Sequence, residues 1–260
     1  MTSRDWDDYF AGAVPAGVIF DLQVDDMRTV ARMGSPDGDL RQETLAEVCL
    51  IGLVAYFEGF CKNHFAAIIN ICPHLLRELQ ARGRDLSISA SHLLDAGEPI
   101  LPKLGYIVAE RFDFGTARAI NAAYCDLLKR SPFSKVHAER FGEILDDRNL
   151  LVHHGGILGP RYSRQRFIRR ETERSRLFLD SLVVTSDQLE KAALFLHAMS
   201  MKIRTSTQTA LSSYIRERRL RLSRGARRAI EAMAWHYPGE RVAARTPHGQ
   251  AMQPTGSAGG

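Results

Sequence analysis

Apolar residues recur every three to four positions through most of this chain, and no stretch alternates apolar with polar as a half-buried strand does. The longest periodic run follows Asp39, a capping residue with acidic Glu43 in the first turn, and proceeds through Leu45, Val48, Ile51, Val54, Ala55, Glu58, Cys61 and Phe65. It predicts a long helix that stops near Cys72, before Pro73, which opens a short helix over 74–82 closed by Gly83. Gly97, Pro99 and Pro102 keep 84–103 a connector, with at most a single turn capped by Ser89 or Ser91. Periodicity resumes at Leu104, where Ile107, Val108 and Phe112, then Ala117, Ile120, Ala123, Tyr124 and Leu127, outline two helices broken at Gly115. Another helix starts at Ser134 and runs through Val136, Phe141, Ile144, Leu145 and Leu151 to the glycines after His154. The last strong segment, from Asp187 with Ser186 as its cap, carries Leu189, Ala192, Ala193, Leu196, Met199 and Ile203. Together these elements predict an all-α antiparallel bundle of four to five main helices.

Flanking segments read differently. Residues 1–38 mix acidic clusters with Pro15, Gly17, Gly34, Pro36 and Gly38, and are expected to form an N-terminal extension holding one helix over 18–33. The helical domain itself is assigned to 39–205. Over 206–237, Arg216, Arg218, Arg219, Arg221, Arg224, Arg227 and Arg228 accompany Ile215, Leu220, Leu222 and Ile230, the pattern of a basic amphipathic helix that serves a membrane surface, RNA or simply solvent. From 238 to 260, Pro, Gly and Ser with little to bury predict a disordered tail.

Composition narrows the class. The 260 residues are 45% hydrophobic and 25% charged, which supplies a sizeable core. Asp5, Asp7 and Asp8 replace the basic start of a leader, the apolar run 48–57 is too short for a bilayer, and Cys49, Cys61, Cys72 and Cys125 show no paired framework. Reduced thiols, a cytoplasmic location and no membrane partner are the expectations. Net charge is +5, yet residues 1–147 hold 15 Lys/Arg against 22 Asp/Glu and residues 148–260 hold 20 against 8, so the halves carry −7 and +12. A polyanion partner or a solvated basic surface follows from that asymmetry. No metal is expected, because Cys61, His64, Cys72 and His74 lack the spacing of a zinc module. No cofactor is expected either: Gly155, Gly156 and Gly159 follow no strand and precede no Lys-Ser/Thr pair, and no serine sits in an elbow motif.

The chemistry concentrates in Arg148-Asn149-Leu150-Leu151-Val152-His153-His154-Gly155-Gly156. A permanently charged guanidinium and an imidazole that titrates near neutral pH are the minimal kit for phosphodiester chemistry. At about 100° per residue they project about 140° apart from an ideal helix, so one helix aims them at different places. Read without chemistry, Arg148 pairs with Asp146 or Asp147 and His153 meets the unpaired carbonyls at the helix end.

This motif, with Phe141-Gly142-Glu143-Ile144-Leu145 leading in, Gly155-Gly156-Ile157 leading out and Val184-Thr185-Ser186-Asp187-Gln188-Leu189-Glu190 opening the next helix, resembles the HEPN superfamily, in particular its RiboL-PSP type, over residues 40–205. The resemblance implies a helical domain and a metal-independent endoribonuclease that works as a homodimer, the Arg of one copy meeting the His of the other. It makes Arg148, His153 and Asn149 the catalytic set, with Asn149 holding the His tautomer or touching phosphate, and His154 accessory. It implies RNA as substrate and an antitoxin or other protein as a further partner. A catalytically silent module that binds nucleotide, RNA or protein is the alternative. Arg161, Arg164, Arg166, Arg169 and Arg170, interleaved with Tyr162 and Phe167 in a loop or short ribbon, would bind the RNA strand.

Overall fold

A computed structural model describes residues 15–33, 40–88, 91, 94, 103–158, 177–178 and 181–237, with 40–43 and 177–178 as backbone. The described chain forms α1 (Ala16–Arg32), α2 (Leu40–Ile71), a 3-10 turn (Pro73–Leu75) that runs into α3 (Leu76–Ala81), α4 (Leu104–Ala109), α5 (Ala117–Leu128) and α6 (Lys135–His154). A ribbon of β1 (Leu177–Phe178) and β2 (Ser181–Leu182) leads into α7 (Ser186–Glu217) and α8 (Arg224–Ala232). The fold is an all-α bundle. Its only strands, among the described residues, are that antiparallel pair, with Leu177 opposite Leu182 and Phe178 opposite Ser181.

Helices α5 to α8 begin where short polar side chains can take up free amides. Thr116, Ser134 and Ser223 accept from the N–H groups of Ala119, His137 and Ala226 at the starts of α5, α6 and α8. Helix α7 opens on Thr185 rather than Ser186, because Gln188 three residues on returns the bond: Thr185 Oγ1 accepts from the Gln188 N–H and Gln188 Oε1 accepts from the Thr185 N–H.

Helix α2 is the axis on which α1, α4, α6, α7 and α8 all pack. Its buried positions therefore wrap around it, and Val48, expected on a one-sided stripe, is exposed while Cys49, Leu50 and Leu53 are buried. Over Thr44–Ile71 the helix is long and apolar enough to cross a membrane, its most apolar 18-residue window having mean hydropathy 1.6, although the run 48–57 alone is too short. A bundle axis requires the same composition. Phe57 at its centre meets Phe20, Phe133 and Phe141 at ring-centroid distances of 5.6, 6.3 and 5.4 Å. Gly105 lets α4 lie directly on α2: its N–H donates to Asn70 Oδ1 at 2.6 Å, and a Cβ there would sit 2.0 Å from the Ala66 carbonyl oxygen.

Neither flank of the expected domain is an appendage. Helix α1 buries Phe20 and Asp21, and α7 crosses position 206 without a break, with Thr207, Ala210 and Leu211 buried. Arg204, with no exposed surface, forks onto Asp21 through Nη1–Oδ2 at 3.1 Å and Nη2–Oδ1 at 2.7 Å. Its Nη1 also donates to the Trp235 carbonyl at 2.6 Å, and the Tyr237 N–H donates to Asp21 Oδ2 at 2.9 Å. Both ends of the described chain are thus tied to one buried ion pair. Burial pushes the Asp21 carboxyl up, but hydrogen bonds from His197 and Arg204, the Arg204 charge and the Tyr237 amide outweigh it and hold it below its usual value.

Beside this pair, His64 stacks on Phe60 at 5.5 Å and bonds Thr207 Oγ1 through Nε2 at 2.8 Å. The Thr207 hydroxyl donates to the Ile203 carbonyl at 2.7 Å, so it accepts from His64, which fixes the proton on Nε2. Burial and the nearby Arg204 charge lower the His64 pKa to about 3.

Asp21→Asn leaves Arg204 buried beside a neutral partner and should cost about 3–5 kcal/mol by urea unfolding, whereas Asp21→Leu with Arg204→Met should recover part of that loss. His64 gives a pH signature. Its folded pKa lies below its unfolded value, so the unfolded chain binds the extra proton and stability falls as pH drops from about 6.5 towards about 3. That slope, up to about 1.4 kcal/mol per pH unit, should be absent from His64→Phe when melting is followed across this window.

Candidate functional site

Helix α6 carries the Arg148–His154 segment and ends as its sequence demands. Gly155 and Gly156 take φ of 57° and 80°, the left-handed region that favours glycine. The Gly156 N–H donates to the Leu150 carbonyl at 3.1 Å and the Ile157 N–H to the His154 carbonyl at 3.0 Å, which satisfies part of the last turn. Strand β2 then closes over the glycines, with the Leu182 N–H donating to the Gly156 carbonyl at 2.7 Å and Ile157 bridged to Ser181. His153 and His154 sit exposed on that final turn, and Asn149 is half-buried.

Arg148 is half-buried and already engaged. Its Nη2 donates to Glu58 Oε1 on α2 at 2.5 Å, a partner 90 positions away, in place of the neighbouring Asp146 or Asp147. Residues one or two apart on a helix do not face each other, which is why a carboxylate on the packed helix is reached instead. Burial raises the Glu58 carboxyl above its ordinary range; the charge and hydrogen bond of Arg148 pull it back, and the charge of Asp113 adds to the rise. Asp113 itself accepts from the Gly115 N–H at 2.8 Å, and Lys62, one turn beyond Glu58, pairs with Glu110 at 2.6 Å. Arg148 therefore lies in a seam where carboxylates outnumber cations. A phosphate that takes the Nη2 edge of this guanidinium has to displace Glu58.

The sequence motif is thus divided in space. One end is a guanidinium neutralised between α2 and α6; the other is an exposed histidine pair beside the β ribbon. Glu58 and Asp113 are site residues that the sequence did not single out. Glu58 offered one signal, a lone carboxylate on the core-facing pattern of an apolar helix. Arg161, Arg164, Arg166, Arg169 and Arg170 lie outside the described residues, as does the tail 238–260. The described chain stops at 158 and returns at 177, with Ile157 and Ser181 bridged next to the histidines.

Among the described residues no group of three His, Cys, Asp or Glu side chains is placed to hold a metal ion. Cys61 is fully buried, and His64 is spent on Thr207. A small open cleft beside α6 is lined by Leu50, Glu143, Asp147, Val184 and Gln188. No family model, no curated protein and no solved structure matches this chain.

A double-mutant cycle with Glu58→Ala and Arg148→Ala should return a coupling of about 1–2 kcal/mol, between the values of exposed and buried pairs. A coupling near zero by urea unfolding would show that Arg148 is free to take another partner.

Proposed function

We propose that this chain is a metal-independent endoribonuclease of HEPN type that acts as a homodimer. The observation that carries the reading is an exposed imidazole on the last turn of α6, with an arginine five residues before it on the same helix end. In the reaction, a histidine removes the proton of a ribose 2′-hydroxyl, the 2′-oxygen bonds to phosphorus, and the bond from phosphorus to the 5′-oxygen breaks as that oxygen takes up a proton. The products are a cyclic phosphate and a 5′-hydroxyl. Arg148 stabilises the charge that grows on the phosphoryl oxygens, and no metal is needed because the two side chains cover proton transfer and charge.

The divergence of Arg148 and His153 around one helix supports a site completed by a second copy, Arg148 from one and His153 from the other. Asn149 then either orients the imidazole or touches phosphate, and His154 is accessory. RNA is the substrate, with Arg161, Arg164, Arg166, Arg169 and Arg170 along the strand, and an antitoxin or other protein is a further partner. A cytoplasmic location fits such a role.

One observation favours a second reading. Because Glu58 already neutralises Arg148, a catalytically silent module that binds nucleotide, RNA or a protein needs no rearrangement of this seam.

Purified chain should cleave RNA in the presence of a chelator, and Arg148→Ala or His153→Ala alone should each lower the rate by about 10² or more, with His154→Ala much milder. Mixing the two inactive variants should restore about a quarter of the parent rate, since half of randomly exchanged dimers carry one intact composite site. Full activity in both variants would remove the site. No cleavage by the parent on diverse RNAs would leave the silent module.

A further inference from the structure

Between Arg216 and Arg228 the chain carries seven arginines, no lysine and one acid, Glu217. All seven are exposed. The segment is built rather than loose: α7 ends at Glu217, Arg219 turns the chain at φ 52°, and Ser223 caps α8. Helix α8 spends its apolar side on the protein, with Ala229 and Met233 buried and Ala226 and Ile230 packed against the core. The Gln208 side chain on α7 clamps its far end by donating to the carbonyls of Ile230 and Glu231 at 2.8 and 3.2 Å. Arg218 pairs with Glu78 at 2.9 Å, and Arg227 donates to the Leu222 carbonyl. The side chains of Arg216, Arg219, Arg221, Arg224 and Arg228 make no hydrogen bond or ion pair among the described residues.

Five unpartnered like charges on a fixed scaffold repel one another, and an anion relieves that repulsion. Arginine presents a planar fork that matches phosphate oxygens two at a time, which a lysine cannot do. Just past α8, Trp235 is 58% exposed and Tyr237 44%, although the Trp235 carbonyl is held by Arg204 and the Tyr237 amide by Asp21. Their backbones are anchored while their rings face solvent, as base-stacking platforms require. An amphipathic helix binds a bilayer by sinking its apolar face, and here that face is already covered by the core.

We infer that this face binds the backbone of single-stranded nucleic acid, with Arg216, Arg219, Arg221, Arg224 and Arg228 on phosphates and Trp235 beneath a base. It is separate from the α6 motif. Leu182, which touches Gly156, leads into the start of α7, and the 32 residues of that helix extend about 48 Å before the arginine face begins. The inference does not rest on ribonuclease activity.

The test uses the full chain and a fluorescent oligo-dT of about 16 nucleotides, which offers no 2′-hydroxyl, so binding is read apart from cleavage. Parent affinity should fall steeply with salt. Replacing Arg221, Arg224 and Arg228 together by Gln should reduce the slope of log K against log salt by about 2, at about 0.7 for each phosphate no longer neutralised, with melting temperature confirming a folded chain. Trp235→Ala should weaken binding about fivefold or more and leave that slope unchanged, because stacking releases no counterions. An unchanged slope in the triple variant overturns the assignment, as does absence of binding by the parent. Equal affinity for duplex DNA with no effect of Trp235→Ala overturns the single-strand preference. Tighter association with phosphatidylserine vesicles than with the oligonucleotide, abolished in the same triple variant, assigns the face to a membrane instead.

Discussion

A guanidinium with no access to water has to be neutralised where it lies, and in this bundle the Asp21 carboxylate does so from α1 across to Arg204 on α7. The pair is surrounded by dependants. A Cβ on Gly17 would sit 2.2 Å from Arg204 Cδ, so α1 approaches α7 only because that position is glycine. Ser200 accepts from Arg204 Nη2 at 3.2 Å, His197 Nε2 reaches Asp21 Oδ1 at 3.4 Å, and the Trp235 carbonyl and Tyr237 amide complete the shell. Only Nε of this guanidinium lacks a partner among the described residues. Burying two charges is costly, so the network contributes less through net stability than by penalising every arrangement that leaves one of them alone.

That penalty explains why the chain does not divide where its sequence changes character. Composition marks breaks near 38 and 205, but the ion pair joins position 21 to position 204 and fastens 235 and 237 to both. A second bond of the same kind, Arg28 to Glu190 with Nε–Oε2 at 2.8 Å and Nη2–Oε1 at 2.5 Å, holds the other end of α1 on α7. Two-point attachment fixes the pitch of α1 along α7, and with it the wall that closes over Phe20 and Phe57.

Local rules were enough to read most of the helices. Pro73, Gly83, Ser134 and Gly155 act through their own backbone or the next turn, so their effects are written within a few residues and the elements fall where these residues put them, whereas α4 ends at Ala109, short of the Phe112 and Gly115 expected to close it. What the sequence hid were facts about partners. The exposed side of Val48 depends on how many helices surround α2, and the Arg148 ion pair depends on a helix 90 positions earlier. Asp146 and Asp147 looked like partners because they are adjacent, and adjacency on a helix is not contact. Residues Asp21 and Arg204 were silent for the same reason: each is an ordinary charged residue until the bundle brings them together.

The charge asymmetry of the chain acquires a spatial meaning from these contacts. In the acidic half, Glu58 pairs with Arg148 and the charge of Asp113 acts on Glu58, so the motif's cation is balanced before any ligand arrives. In the basic half, the arginines after 215 meet few acids, and those with no partner keep their full field. The unpartnered arginines at the end of α7 offer a polyanion charge that no acid offsets, whereas Glu58 already balances Arg148. Any chemistry at the motif therefore needs a second source of positive charge beside His153, which a second copy, or the arginines between 161 and 170, would have to supply. The motif on α6 and the arginines at the end of α7 and on α8 are therefore electrostatically distinct, one cation paired within the fold and the others facing solvent.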